Sequence, residues 1–441
     1  MNVATMRTKV EQALSENFEA VAQRLPGSPA VAELRRAAIG LFGAKGLPHR
    51  RIEEWRYTDL RAALKDVPQP AVGDVTKITI ADVIVAMGPL ASLDAFRLVF
   101  VNGAFRPGLS NMRGADGLEM QALSQALSEN DDAGAAAKLG GPNDDVLIAL
   151  NTAYMTDGAV LKLSAGATLA KPVVMIFVRA GGDRRMTATR NVIDIGQGAS
   201  ATIVEAYVTL PGSAAEGQAN AATEITVGQG AIVTHVKCAL ESGGAVHLAS
   251  AVVSLGAEAA YRSFQLTAGP VLARNQIFAT FAGEGGRLDL SGAFLARGSA
   301  HVDTTLVVDH AVPRCESREL FKGVLDDEAR GVFQGKVIVR PDAQKSDGKQ
   351  MAQVLMLSPD AEFDSKPELE IYADDVVCGH GSTSAEIDSD HLFYFMSRGI
   401  PMAEAKSLLT EAFVGEAIEK VENEAVREAL MTMARQWLNA R

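Results

Sequence analysis

The sequence predicts a mainly β protein: a β-solenoid core flanked by helical N-terminal and C-terminal regions. Three observations lead to this fold class. From about Gly158 to Glu370, apolar residues alternate in short runs such as VLKLS, VVMIFV, ATIVEAYV and AIVTHVKCAL, each closed by a glycine-rich turn. The turn glycines Gly166, Gly198, Gly230, Gly256 and Gly283 recur at intervals of 32, 32, 26 and 27 residues, and Gly-Gln-Gly-Ala occurs twice. Aromatics make up only 5% of the 441 residues, against 40 glycines, a composition suited to stacked coils filled by aliphatic columns. No helical pattern fits between the strands, which argues against βαβ units. On pattern alone, a sandwich or propeller of antiparallel strands stays open as the alternative, although a propeller more often shows a large aromatic in each blade.

The flanks follow in order. Met6, Val10, Leu14 and Phe18 recur every four residues and form one helix face. Ser28-Pro29 supplies an N-cap and first-turn proline for a second helix through about Leu41. Arg51 to Leu64 is a third helical candidate, and Asn102-Gly103 within RLVFVNGAFRP signals a hairpin. Residues 118–157 return to helical spacing, broken at Gly140-Gly141-Pro142. After the Gly399-Ile400-Pro401 break, Leu408, Ala412, Phe413, Ile418 and Val421 form a helical stripe that Val426, Leu430, Met433, Ala434 and Trp437 continue. The polar face, with Glu404, Lys406, Glu411, Glu416, Glu419 and Glu422, reads as solvated. The expected division is 1–155 helical and mixed, 156–385 solenoid, and 386–441 helical.

Composition excludes several functions. Hydrophobic residues at 47% and charged residues at 22% are incompatible with wholesale disorder. A net charge of −12 argues against nucleic acid or an anionic membrane as partner. Three cysteines cannot form a disulfide framework and fit a reducing, cytoplasmic setting. The longest apolar runs are far short of a bilayer span, and no signal-peptide pattern opens the chain. Neither a phosphate-loop motif nor a strand–Gly-x-Gly-x-x-Gly–helix motif is present, so no nucleotide is expected on this chain.

Chemistry is therefore sought among the cysteines and histidines. Alternation puts Val236 and Cys238 on one strand face and His235 and Lys237 on the other, so Cys238 reads as a buried apolar residue. Cys315 follows Pro313 in a turn, with no role assigned. In Asp374-Asp375-Val376-Val377-Cys378-Gly379-His380-Gly381, extended geometry sends Asp374, Val376, Cys378 and His380 to one face. A thiol and an imidazole two residues apart on a strand can reach one metal ion. A four-cysteine cluster site cannot be built from three cysteines, so an iron–sulfur site here needs histidine or ligands from a partner.

Four segments carry a resemblance: EEWRYTDL at 53–60, VDHAVPRCESRELFKGVLDDEARGVFQGKVIV at 308–339, KPELEIYADDVVCGHGSTSAEID at 366–388 and LFYFMSRGIPMAEAKSLLTEAF at 392–413. In these the chain resembles the SufD branch of the SufB/SufD family of the SUF iron–sulfur cluster assembly system. The resemblance implies a right-handed parallel β-helix and a non-catalytic scaffold role. It implies pairing with SufB through the β-helix core, docking of the ATPase SufC through the C-terminal helices, and a transient iron–sulfur cluster at the SufB interface. The family's interface histidine falls on His380, which becomes the candidate metal ligand, with Cys378 as a second, lesser candidate for the cluster. Gly379 and Ser382 replace the family's serine and alanine, and Ala352-Gln353-Val354 departs from its usual asparagine and arginine. Within the family, SufB is the nearest alternative; its glutamate after the histidine is Gly381 here, and its cysteine falls near Ser346. A β-helix enzyme acting on polysaccharide is the alternative from another class, and two tryptophans and six tyrosines provide poorly for sugar stacking. Paired β-helix edges also allow a homodimer when the chain is isolated.

Overall fold

The computed structural model describes residues 7–129 and 144–440; Met6 and the Gly140-Gly141-Pro142 break lie outside them. The core is a parallel β-solenoid of about eight turns. In chain order its strands are β1 (Phe96–Val101), β2 (Ala159–Leu163), β3 (Val173–Arg179), β4 (Arg185–Ile195), β5 (Ser200–Thr209), β6 (Gly217–Val227), β7 (Ile232–Leu240), β8 (Ala245–Leu255) and β9 (Ala260–Thr267). They continue as β10 (Leu272–Phe281), β11 (Arg287–Ala296), β12 (His301–His310), β13 (Glu316–Leu325), β14 (Arg330–Val339), β15 (Asp347–Met356), β16 (Glu362–Ile371) and β17 (Val377–Ala385). Odd-numbered strands stack in one ten-stranded sheet and even-numbered strands in a second, so each coil contributes one rung to each.

The repeated Gly-Gln-Gly-Ala motif serves two columns of the same turn. A Cβ at Gly196, Gly228, Gly256 or Gly283 would lie 2.1–2.9 Å from a backbone nitrogen of the preceding coil, so stacking demands glycine there. The second column is left-handed: Gly166, Gly198 and Gly230 have φ of 63–69°, and their amides bond to the next coil's turn carbonyls. In later coils Glu258, Gly285, Arg314 and Lys345 take this position. Gly256 and Gly283 thus belong to the close-approach column, and the marker glycines of the sequence pattern mix two structural positions.

Apolar residues of both sheets fill the interior, including Ile203, Val233, Leu290, Phe321 and Val337. A second apolar layer covers the outer face of the odd sheet, where Val204, Val236, Cys238, Phe264 and Val324 meet the helical segments. These helices are α1 (Lys9–Val21), α2 (Pro29–Lys45), α3 (Ile80–Met87), α4 (Leu123–Glu129), α5 (Val146–Tyr154), α6 (Ser389–Ser397), α7 (Met402–Ile418) and α8 (Glu424–Asn439). α3, α7 and α8 cover the odd sheet, whereas α1, α2 and α5 pack over the even sheet around Met186, Ala188, Leu248 and Leu272. Ser28 caps α2, with Pro29 in its first turn, and Asn102-Gly103 turns with φ of 49° and 76° into the antiparallel pair Ala104–Phe105.

Three local expectations are corrected. Arg51–Leu64 is a 3-10 turn, Glu53–Trp55, followed by one helical turn, Leu60–Ala63. Tertiary contacts hold it irregular: Trp55 stacks under the Arg274 guanidinium at 3.7 Å, and Thr58 donates to buried Asp303. Residues 118–122 form a strand antiparallel to β2. The polar face of α7 and the loop after it is engaged rather than solvated throughout. Glu416 pairs with Lys322 of β13, Glu411 with Arg435, and Glu422 with Arg262. Among the described residues no helix is long and apolar enough to cross a membrane.

Candidate functional site

The solenoid ends on β16 and β17. Among the described residues each has a neighbour on one side only, β14 and β15 respectively, so the last rung of both sheets presents unpaired backbone donors and acceptors. The two edges differ chemically. β16 carries Glu362, Asp364, Lys366, Pro367, Glu368 and Glu370, the charges and proline that discourage further pairing. β17, Val-Cys-Gly-His-Gly-Ser-Thr-Ser-Ala, has neither a charged side chain nor proline. Ile371, Tyr372 and Val377 add exposed apolar surface to the rim.

Cys378 and His380 lie on β17. The alternation that directs Phe321 and Ala352 inward also directs both of them to the interior side, where the last coil leaves His380 exposed and Cys378 half-buried against the core. Burial raises the Cys378 thiol; the Gly348 amide offsets this in part, while the charges of Asp347 and Glu319 add to it. Asp374 does not join this face. The strand begins at Val377, and the preceding turn is held by the Asp375 carbonyl accepting from Lys345 and the Asp375 amide donating to Gln344.

The other cysteines are enclosed. Cys238 is wholly buried in the layer under the helices, and its thiol is pushed up to about 12. Cys315 follows the left-handed Arg314 turn and lies in the core, its Sγ 3.4 Å from the Pro313 carbonyl. Ser346 is buried and donates to the Ala343 carbonyl. Among the described residues no group of three or more His, Cys, Asp and Glu side chains is placed to hold a metal ion.

Sequence reasoning missed that the interior carries charge. His235 and Lys237, opposite Cys238 on β7, face inward and not toward solvent. Glu205 accepts from Tyr207 Oη at 2.6 Å and Thr223 Oγ1 at 2.7 Å, and meets His235 Nε2 at 3.0 Å. His235 Nδ1 lies 2.8 Å from Tyr261 Oη, and Lys237 donates to Asn275 at 2.6 Å. The signal was present as polar residues on alternating positions, but the helices cover the opposite, apolar face, which a strand pattern cannot report.

Fold and site together define a parallel β-solenoid protein whose open last coil presents a thiol and an imidazole. Residues 177–413 match the family described as "SUF system FeS cluster assembly, SufBD core domain", and residues 8–175 match the "SufBD protein N-terminal region". The chain belongs to the SufBD family of the SUF iron–sulfur cluster assembly system. It is 32% identical over 399 residues to an iron–sulfur cluster assembly SufBD family protein of Synechocystis, covering 88% of this chain and 86% of that one. Against the iron–sulfur cluster assembly protein SufD of Escherichia coli the identity is 30%, covering 89% and 90%. The Bacillus subtilis protein of the same name is 27% identical over 65% of each chain.

Proposed function

We propose that this chain is a non-catalytic scaffold subunit of a SufB–SufC–SufD complex, pairing with SufB through its open last coil to form a nascent iron–sulfur cluster site. The observation that supports this most directly is the coincidence, on β17, of an unprotected edge with Cys378 and His380. An unpaired strand lacking charge and proline is suited to continuing its sheet into another chain. His380 is then the ligand this chain supplies to the cluster, which is cargo, and Cys378 is a second ligand or a support for it. The partner supplies the remaining thiolates.

The C-terminal unit, 386–441, docks the ATPase SufC. Phe393 is 73% exposed and Tyr394 55%, and Met396, Met402 and Leu408 extend the same apolar exposure across α6 and α7. The Lys322–Glu416 ion pair and the Lys322–Phe413 ring contact tie α7 to β13, giving a displacement of these helices a route to the solenoid.

Co-expression with SufB and SufC tests this reading. The chain is expected to be retained in a complex with both, and Phe393→Glu is expected to lose SufC while keeping SufB. His380→Ala is expected to keep the complex and lose cluster assembly; unimpaired cluster-dependent enzyme activity in cells would refute the role of His380.

A further inference from the structure

Beneath His380 the interior holds polar atoms that neither the fold nor the scaffold reading uses. Glu319 on β13, Gln350 on β15 and His380 on β17 are Cα partners in consecutive rungs, about 4.8 Å apart per rung. Glu319 is 4% exposed and Gln350 3%. Neither carboxylate oxygen of Glu319 makes a well-formed hydrogen bond, the Ser317 hydroxyl offering only a weak one, and the amide oxygen of Gln350 has no partner. The Gln350 amide nitrogen is committed across the interior to the Glu368 carbonyl at 3.3 Å, with Gly335 leaving room for the amide oxygen.

An ionised Glu319 would set a carboxylate, which only accepts, one rung from an amide oxygen, which only accepts, in an interior where unpaired polar atoms are costly. One proton resolves the conflict, because a neutral carboxyl donates its O–H to the waiting amide oxygen. We propose that Glu319 is a neutral carboxylic acid that donates to Gln350, and that this pair is a positioning element for His380, fixing the side chain that is its partner on the rung below. The inference deepens the assignment of His380 as a cluster ligand and rests on it.

The surroundings agree. Burial pushes the Glu319 carboxyl up to about 8; the Ser317 hydroxyl and the Arg318 charge oppose this, and Asp289 on the neighbouring β11 adds to it. From the opposite sheet, His310 reaches Ser317 at 3.1 Å, and burial pushes its imidazole down to about 4.

The test uses the full-length chain and three variants, Glu319→Gln, Glu319→Leu and Gln350→Leu. Infrared spectra of the isolated wild type at neutral pH are expected to show the carbonyl band of a buried protonated carboxyl, absent in Glu319→Gln. Nuclear magnetic resonance of the His380 ring is expected to give a wild-type spectrum in Glu319→Gln, whose amide still donates, and a shifted one in both leucine variants. In cells, cluster-dependent enzyme activity is expected to fall about tenfold in the leucine variants and to be kept in Glu319→Gln. Absence of the carboxyl band, or equal loss in Glu319→Gln and Glu319→Leu, overturns the proposal. Full activity of His380→Ala overturns the ligand assignment instead, while the infrared and ring spectra still report on the Glu319–Gln350 pair.

Discussion

Two carboxylates sit in the same interior, on the same sheet, and are driven in opposite directions. Glu205, mid-solenoid, is fully buried, and burial alone would raise its value. His235, Tyr207 and Thr223 overturn that and hold it well below the usual carboxylate range. Glu319 on β13, four rungs along the odd sheet from Glu205 on β5, has equal burial and no such convergence of donors, and is pushed up to about 8. Burial therefore does not decide whether an interior acid is charged; the donors that converge on it do. The closed middle of the solenoid fixes a charged network for structure, whereas the open end keeps an acid in reserve beneath the candidate ligands.

The largest effect should come from breaking the satisfied network. Glu205→Leu strands His235, Tyr207 and Thr223 and is expected to cost about 3–5 kcal/mol in denaturant unfolding. Glu319→Leu removes one neutral hydrogen bond and is expected to cost about 1–2 kcal/mol, so comparable losses in the two variants would erase the contrast. A second measurement follows the pH dependence. The folded value of Glu319 is raised from 4.5 to about 8, so between those limits the unfolded chain releases a proton that the folded chain retains. Its contribution to stability is therefore full below 4.5, declines as pH rises through that window and is flat above it. The stability of Glu319→Gln relative to wild type should accordingly improve from pH 5 to 8. The difference also cancels His310, whose depressed value makes stability rise with pH between about 4 and 6.5. A level difference across the window would mean that Glu319 ionises normally. The smallest effect concerns the thiols: under native conditions a neutral alkylating reagent should modify half-buried Cys378 first, with Cys238 and Cys315 protected until unfolding.

Much of this was legible in the residues. Alternation and the recurring Gly-Gln-Gly-Ala turns announced stacked coils, because a coil that must close against its neighbour needs glycine where a Cβ would strike backbone. Ser28-Pro29 and Asn102-Gly103 marked their helix and hairpin through local backbone chemistry. Cys378 and His380 were legible as a pair because two-residue spacing on a strand is a short-range property. The segment 51–64 was misread because its conformation is set by Arg274 and Asp303, more than 200 positions away.

The sequence by itself determined the repeat, the aliphatic filling, the shortage of cysteine and the thiol–imidazole pair, all consequences of local pattern or of counting. Only the tertiary structure decided which strand face is interior, which edge is left unpaired, and that Glu319, Gln350 and His380 share one column. Rungs some 30 residues apart become neighbours only when the coils stack in register, and the register is set by packing, which no local window contains.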